Sequence, residues 1–173
     1  MATAYDHMPF TDIRRSADDN AQGVLDSFWD GKLPIDPVKI ALDMGVEVYT
    51  AQLGDEVYGM ISGTPSEAKI YLDVDQAPVR MRFTCAHEIG HYIERSSRTT
   101  ADDSEYAEID VRSGRDHGKP IEVFANHFAG ALLMPKEVVE KFHTKGMNVY
   151  AMASKFNVSV QAMSLRKMHL GLS

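Results

Sequence analysis

Cysteine is almost missing from this chain of 173 residues. Cys85 is the only one, so no internal disulfide can form, and a reducing, cytoplasmic setting is expected. Long apolar runs are missing too: none approaches the roughly 18 residues of a membrane-spanning helix. The opening stretch, MATAYDHMPFTDIRRSADDN, carries acids and no apolar core, which argues against a secretory signal. Internal repeats and low-complexity segments are absent. Positive charge is in short supply, with 18 basic residues against 25 acidic ones and a net charge of −7. That balance disfavours non-specific binding to nucleic acid.

What is present is the composition of a globular protein, 44% hydrophobic and 25% charged. The length suits one domain, or one domain with a small appendage. Charge is unevenly spread. Residues 136–173 hold Lys136, Lys141, Lys145, Lys155, Arg166 and Lys167 against Glu137 and Glu140, a net of +4 that leaves −11 for residues 1–135. The asymmetry points to two parts with different surfaces. The expected division is a loose tail over 1–16, a main domain over 17–135 and a helical segment over 136–173.

Periodicity sketches the elements. ADDNAQGVLDSFWDG reads as a helix with Val24, Leu25, Phe28 and Trp29 on one stripe and Gly31 at its end. In LPIDPVKIALDMG, Asp36 caps a helix, Pro37 suits its first turn and Gly45 supplies a left-handed exit. Three strand-like runs follow, at 46–51, 57–63 and 68–73, with the GTPS turn at 63–66 between the last two. A helix beginning after Pro78 runs to about Glu94. Residues 95–120 are polar and irregular, long enough to suggest a lid. IEVFANHFAGALLM is a strongly apolar helix ended by Pro135, and PKEVVEKFHT is another, closed by Gly146.

Within the helix after Pro78 stands FTCAHEIGHYIE, residues 83–94. Its H-E-x-x-H spacing sets His87 and His91 one helical turn apart, about 40° from each other around the axis. Two neutral imidazoles so placed can share a zinc ion, and Glu88 on the adjacent flank can reach a water on that ion. The plainer alternative is a helix that happens to carry two histidines. Ile89 and Ile93 pack, and Gly90 permits close approach of a second helix. Cys85 would point about 160° away from His87 and reads as a small buried hydrophobe.

A catalytic zinc takes three protein ligands and keeps a position open. Glu122, a lone carboxylate on the next apolar helix, suits the third place, and Asn126 at i+4 can hydrogen-bond a ligand histidine and fix its tautomer. Glu122 near a helix start can equally be a solvated residue favoured by the helix dipole. Tyr92, His117, His127 and His143 are candidates for stabilising an oxyanion, and each suits a packing or surface role better.

FTCAHEIGHYIE followed by IEVFANHFAGALLMP resembles the ImmA/IrrE family of zinc metallopeptidases. Its members pair an RFTxAHExGH segment with an ExxANxFAxxLLMP helix. The likeness covers roughly residues 33–140, and Glu122, Ala125, Asn126, Phe128, Ala129 and the run Leu132–Pro135 match the second motif. The resemblance implies an α+β, zincin-like minimal fold, here expected as a three-stranded sheet packed on the motif helix. It implies one zinc ion, with manganese or iron as substitutes, held by His87, His91 and Glu122, and Glu88 as the catalytic base. It also implies a substrate class, since members commonly cleave helix-turn-helix repressors and so release stress, phage or mobile-element genes. Such a substrate could add as an extended strand to AKIYLD if that strand is the sheet edge.

The tail, MNVYAMASKFNVSVQAMSLRKMHLGLS, has the look of a helix-turn-helix. Met152, Ala153 and Phe156 would face inward, Asn157 would turn left-handed and Ser159 would cap the second helix. Val160, Met163, Leu165 and Met168 would give the second helix its apolar side, leaving Gln161, Ser164, Arg166 and Lys167 for base contacts. Packing or partner recognition is favoured over operator reading. Two competing readings stand beside the peptidase: a non-enzymatic regulator with a structural zinc, and a toxin–antitoxin component whose partner is an antitoxin. Glu88 favours the enzyme, because a closed structural site has no use for a base.

Overall fold

A computed structural model describes residues 5–64, 67–97, 106–111 and 118–173. The order of elements is α1 (Phe10–Phe28), α2 (Pro37–Asp43), β1 (Glu47–Ala51), β2 (Val57–Thr64), β3 (Glu67–Asp73), α3 (Pro78–Ser96), β4 (Tyr106–Val111), α4 (Pro120–Leu133), α5 (Lys136–Thr144), α6 (Val149–Phe156) and α7 (Val160–His169). The α+β class holds. The sheet has four strands, not three, in the order β1-β3-β2-β4. β1 runs parallel to β3, and β2 is antiparallel to both β3 and β4.

Two expectations fail here. AKIYLD, within β3, is not an edge: β1 and β2 flank it on either side, so no incoming strand can pair with it. The polar stretch 95–120 also contains a strand, β4. YAEIDV alternates, but its inward positions are Tyr106, Glu108 and Asp110, while Ile109 is 54% exposed. Acids on the inner face hid the pattern that normally marks a half-buried strand. The first residues of the stretch 95–120 close α3 and its last open α4; residues 98–105 and 112–117 of the suspected lid, with His117, lie outside the described residues.

The first helix starts earlier than its sequence suggested. α1 opens at Phe10, inside the expected loose tail, because Ile13, Ala17, Ala21, Val24 and Leu25 recur at helical spacing and are all buried. Tyr5 packs even before it, stacked on Phe124 at 4.8 Å. α2 carries the foreseen cap: the Asp36 carboxylate accepts from the backbone N–H groups of Val38 and Lys39. Gly45 leaves it at φ 82°.

α4 is the hub. It lies between α1 and α3, and accordingly buries side chains nearly all round, among them Phe124, Phe128, Leu132 and Leu133. Each contributes about 1.5–3 kcal/mol by leaving water. Gly90 lets α3 come close: a Cβ there would stand 3.1 Å from the Ala125 Cα and 3.2 Å from the Phe128 Cδ1. Gly59 does the same for β2, where a Cβ would meet the Thr84 Cγ2 at 2.5 Å and the Glu88 Oε1 at 3.0 Å. Sheet and helices therefore converge on the middle of α3.

The C-terminal helices α6 and α7 are joined by a short turn. Asn157 adopts φ 52° and the Ser159 hydroxyl accepts from the Ala162 N–H. Met152, Ala153 and Phe156 are buried. α7 is rotated from its expected face, however. Met163 and Arg166 are buried, three residues apart, while Val160, Leu165 and Met168 are exposed. Arg166 is 4% exposed and donates Nε–H to the Met134 carbonyl at 3.0 Å and Nη1–H to the Asp18 carboxylate at 2.7 Å. It fastens α7 to the rest of the fold and is not free to contact a base.

Candidate metal centre

His87 and His91 are buried on the face of α3 that meets α4 and β4. Their Nε2 atoms lie 3.0 Å apart. Glu122, in the first turn of α4, reaches across: Oε2 is 3.4 Å from the His87 Nε2 and Oε1 is 3.2 Å from the His91 Nε2. The helix N-terminus favours a negative charge at that place. Burial works to raise the Glu122 carboxyl, but its contacts with His87 and His91 outweigh that and hold it well below the usual range.

The other ring nitrogens are turned to acceptors. The His87 Nδ1 is 3.1 Å from the Asn126 Oδ1, so Nδ1 carries the hydrogen and Nε2 keeps its lone pair for an ion. The His91 Nδ1 lies 2.8 Å from the Glu108 Oε2 of β4, close enough for an ion pair though not aligned for a straight hydrogen bond. Burial alone would lower the His91 ring, and the carboxylates of Glu108 and Glu122 instead raise it well above its ordinary value in the metal-free chain.

Glu88 is fully buried, and among the described residues neither of its oxygens has a hydrogen-bond partner. Burial pushes its carboxyl up to about 8, against the nearby His91 ring, and Asp110, Glu122 and Glu108 add to the rise. An orphaned buried carboxylate is costly unless something polar is meant to sit beside it. A cation with its water suits that need. The donor atoms of His87, His91 and Glu122 all lie within 4.8 Å of one another, close enough to serve one ion. His87, Glu88 and the half-buried Asp110 form a second group of the same compactness.

The structure thus brings His87, Glu88, His91, Glu122 and Asn126 together. It does not bring in His127. His127 points the other way, with Nε2 3.1 Å from the Asp18 carboxylate and its ring 4.9 Å from that of His169. His143 sits on α5, and Tyr92 packs half-buried against the core. Cys85 is fully buried, its thiol pushed up by that burial, and is no part of the site. Sequence reasoning missed Glu108 and Asp110. The available signal was their i, i+2 spacing within Tyr-Ala-Glu-Ile-Asp-Val, which puts both acids on one strand face.

An α+β fold whose central helix carries two buried histidines one turn apart, beside an orphaned glutamate, defines the class of metallopeptidases. The chain belongs to the peptidase M78 family, described as the IrrE N-terminal-like domain, which matches residues 41–168. It is 33% identical over 103 residues to the radiation response metalloprotease IrrE of Deinococcus radiodurans, a match covering 57% of this chain and 30% of that protein. The chain thus spans about a third of the length of that curated relative. Its fold is similar to that of a Mycobacterium tuberculosis transcriptional regulator, with a TM-score of 0.58 at 18% identity, covering 92% of this chain and 51% of the other. Among the described residues no helix is long and apolar enough to cross a membrane.

Proposed function

We propose that this chain is a zinc-dependent endopeptidase that hydrolyses a peptide bond in a regulatory protein, a helix-turn-helix repressor being the substrate that best fits the family resemblance. The carrying observation is the convergence of His87, His91 and Glu122 beside a buried, unpartnered Glu88. In this reading His87, His91 and Glu122 hold one ion and Asn126 fixes the His87 tautomer. Residues 17–135 carry the chemistry and 136–173 form the helical segment that packs on it.

The ion, when bound, supplies Lewis acidity that makes water easier to deprotonate and a carbonyl easier to attack. The chain's own residues do the rest. Glu88, buried beside the ligand group with both oxygens unpartnered among the described residues, is placed to accept the proton of the attacking water on a carboxylate oxygen, and the charge of a bound ion would favour the ionised form that this needs. It then returns that proton to the leaving amide nitrogen, so that the C–N bond breaks with a neutral amine as product. α3 and α4 keep water out on the core side, where Ile89 and Phe124 are fully buried.

The test is cleavage of a panel of helix-turn-helix repressors by the zinc-loaded chain, followed by intact-mass spectrometry. The wild type is expected to cut one of them at a defined bond. Glu88→Gln should bind metal normally and lose at least about 100-fold in rate. Undiminished cleavage by Glu88→Gln would remove the base from the mechanism.

A further inference from the structure

Among the described residues β4 pairs only with β2, at the end of the sheet, and it carries two acids toward α3. One of them, Glu108, stands between two α3 side chains a helical turn apart. Its Oε2 lies 2.8 Å from the His91 Nδ1, and its Oε1 lies 3.8 Å from the Arg95 Nη1. Arg95 is itself fixed, with its guanidinium 3.9 Å above the ring of Tyr106, which is also on β4. Tyr106, Arg95, Glu108 and His91 thus form a continuous chain from the edge of the sheet to the metal centre. His91 is buried and presents its other nitrogen, Nε2, to Glu122 and His87.

We propose that Glu108 is a positioning residue for His91, held in place by Arg95, and that it couples the docking of β4 to occupancy of the metal site. This rests on the assignment of His91 as a ligand. The negative charge of a carboxylate 2.8 Å away favours the hydrogen on Nδ1 and leaves the lone pair on Nε2. It also makes the ring a better donor by supporting positive charge on it. Coupling is reciprocal: whatever Glu108 adds to metal affinity, the metal must return as tighter docking of β4 on α3. Asn126 does the corresponding work for His87 from α4, so each ligand histidine is oriented by a different element.

The experiment uses the full chain with zinc alone as the probe. Zinc affinity is measured by competition with a chromophoric chelator for the wild type, Glu108→Ala and Glu108→Gln. Amide hydrogen exchange over Tyr106–Val111 is followed with and without zinc. Loss of Glu108 is expected to weaken zinc by about 10- to 100-fold, with Glu108→Gln falling between because its amide oxygen still accepts. Zinc should slow exchange in β4 of the wild type and leave β4 of Glu108→Ala unchanged. If Glu108→Ala fails to fold, the nearly isosteric Glu108→Gln carries the comparison. Equal zinc affinity and equal zinc-induced protection in wild type and variants would overturn the role of Glu108 while leaving the metal centre intact. A wild type that binds no zinc would overturn the centre and this inference with it.

Discussion

Asn126 and Glu108 each contact one histidine of the cluster, and in the proposed reading both act through it. The Asn126 Oδ1, 3.1 Å from the His87 Nδ1, selects the tautomer that leaves Nε2 free. Asn126→Ala is expected to lower zinc affinity by about 10-fold, and Asn126→Asp, which keeps an acceptor, to lower it less. Chelator competition measures both, and an Asn126→Ala variant as tight as wild type would count against the tautomer argument. At this scale helical residues were legible in the sequence. The 3.6-residue period pairs His87 with His91, and Glu122 with Asn126, each on its own helix; joining the two pairs into one site rests on the resemblance to the ImmA/IrrE family. Glu108 and Asp110 could not be grouped with them. Their place depends on the pairing of β4 with β2, which local sequence does not encode, and they sit inside a stretch whose polarity resembles a loop.

At the scale of elements, close approach decides the geometry. Gly90 on α3 faces Ala125 and Phe128 of α4, so the separation of the two helices, and with it the distance from the histidines to Glu122, is set by the missing Cβ. Gly90→Ala gains about 1 kcal/mol of helix propensity but overpacks a contact that costs about 1–3 kcal/mol, so a net loss of up to about 2 kcal/mol is expected. Zinc affinity should fall with it as α4 is pushed away. Chemical denaturation checks the first part, and a variant more stable than wild type would show that the interface is looser than its atoms indicate. The role of Gly90 was legible as a small residue in a helix otherwise meant to pack. The fourth strand was not, and neither was the central place of β3, because strand order is a property of long-range pairing. The rotation of α7 was hidden by its composition. Val160, Met163, Leu165 and Met168 are apolar enough to suggest a buried face, yet of these four Met163 alone is buried, together with Arg166.

Over the whole molecule, one polar cluster ties the two ends of the chain together. Asp18 of α1 accepts from Arg166 of α7 at 2.7 Å and sits 3.1 Å from the His127 Nε2 of α4, whose ring has that of His169 tilted against it at 4.9 Å. Burial would raise the Asp18 carboxyl, but His127 and Arg166 outweigh it and hold it down at about 2, against an ordinary 3.8. A folded-state value below the unfolded one means stability that is present above about pH 4 and lost as pH falls through about 2. The side chain is 38% exposed, so solvent screening reduces the contribution to about 1 kcal/mol. Asp18→Asn should therefore be less stable than wild type at pH 6 and should lose less further stability between pH 4 and pH 2. Thermal melts across that range report it, and parallel acid limbs in the two proteins would contradict it. No local pattern announced this cluster, since Asp18, His127 and Arg166 lie far apart in the sequence.

The central claim is that α3 and α4 together hold one metal ion, and metal content tests it most directly. Native mass spectrometry of the wild type and of Glu122→Ala, each supplied with zinc and then passed through a desalting column, reads the answer in a single mass difference. One zinc on the wild type and none retained by Glu122→Ala is the predicted result. A wild type without metal, or a variant that keeps the ion as firmly as the wild type, would contradict the assignment of His87, His91 and Glu122 as its three ligands.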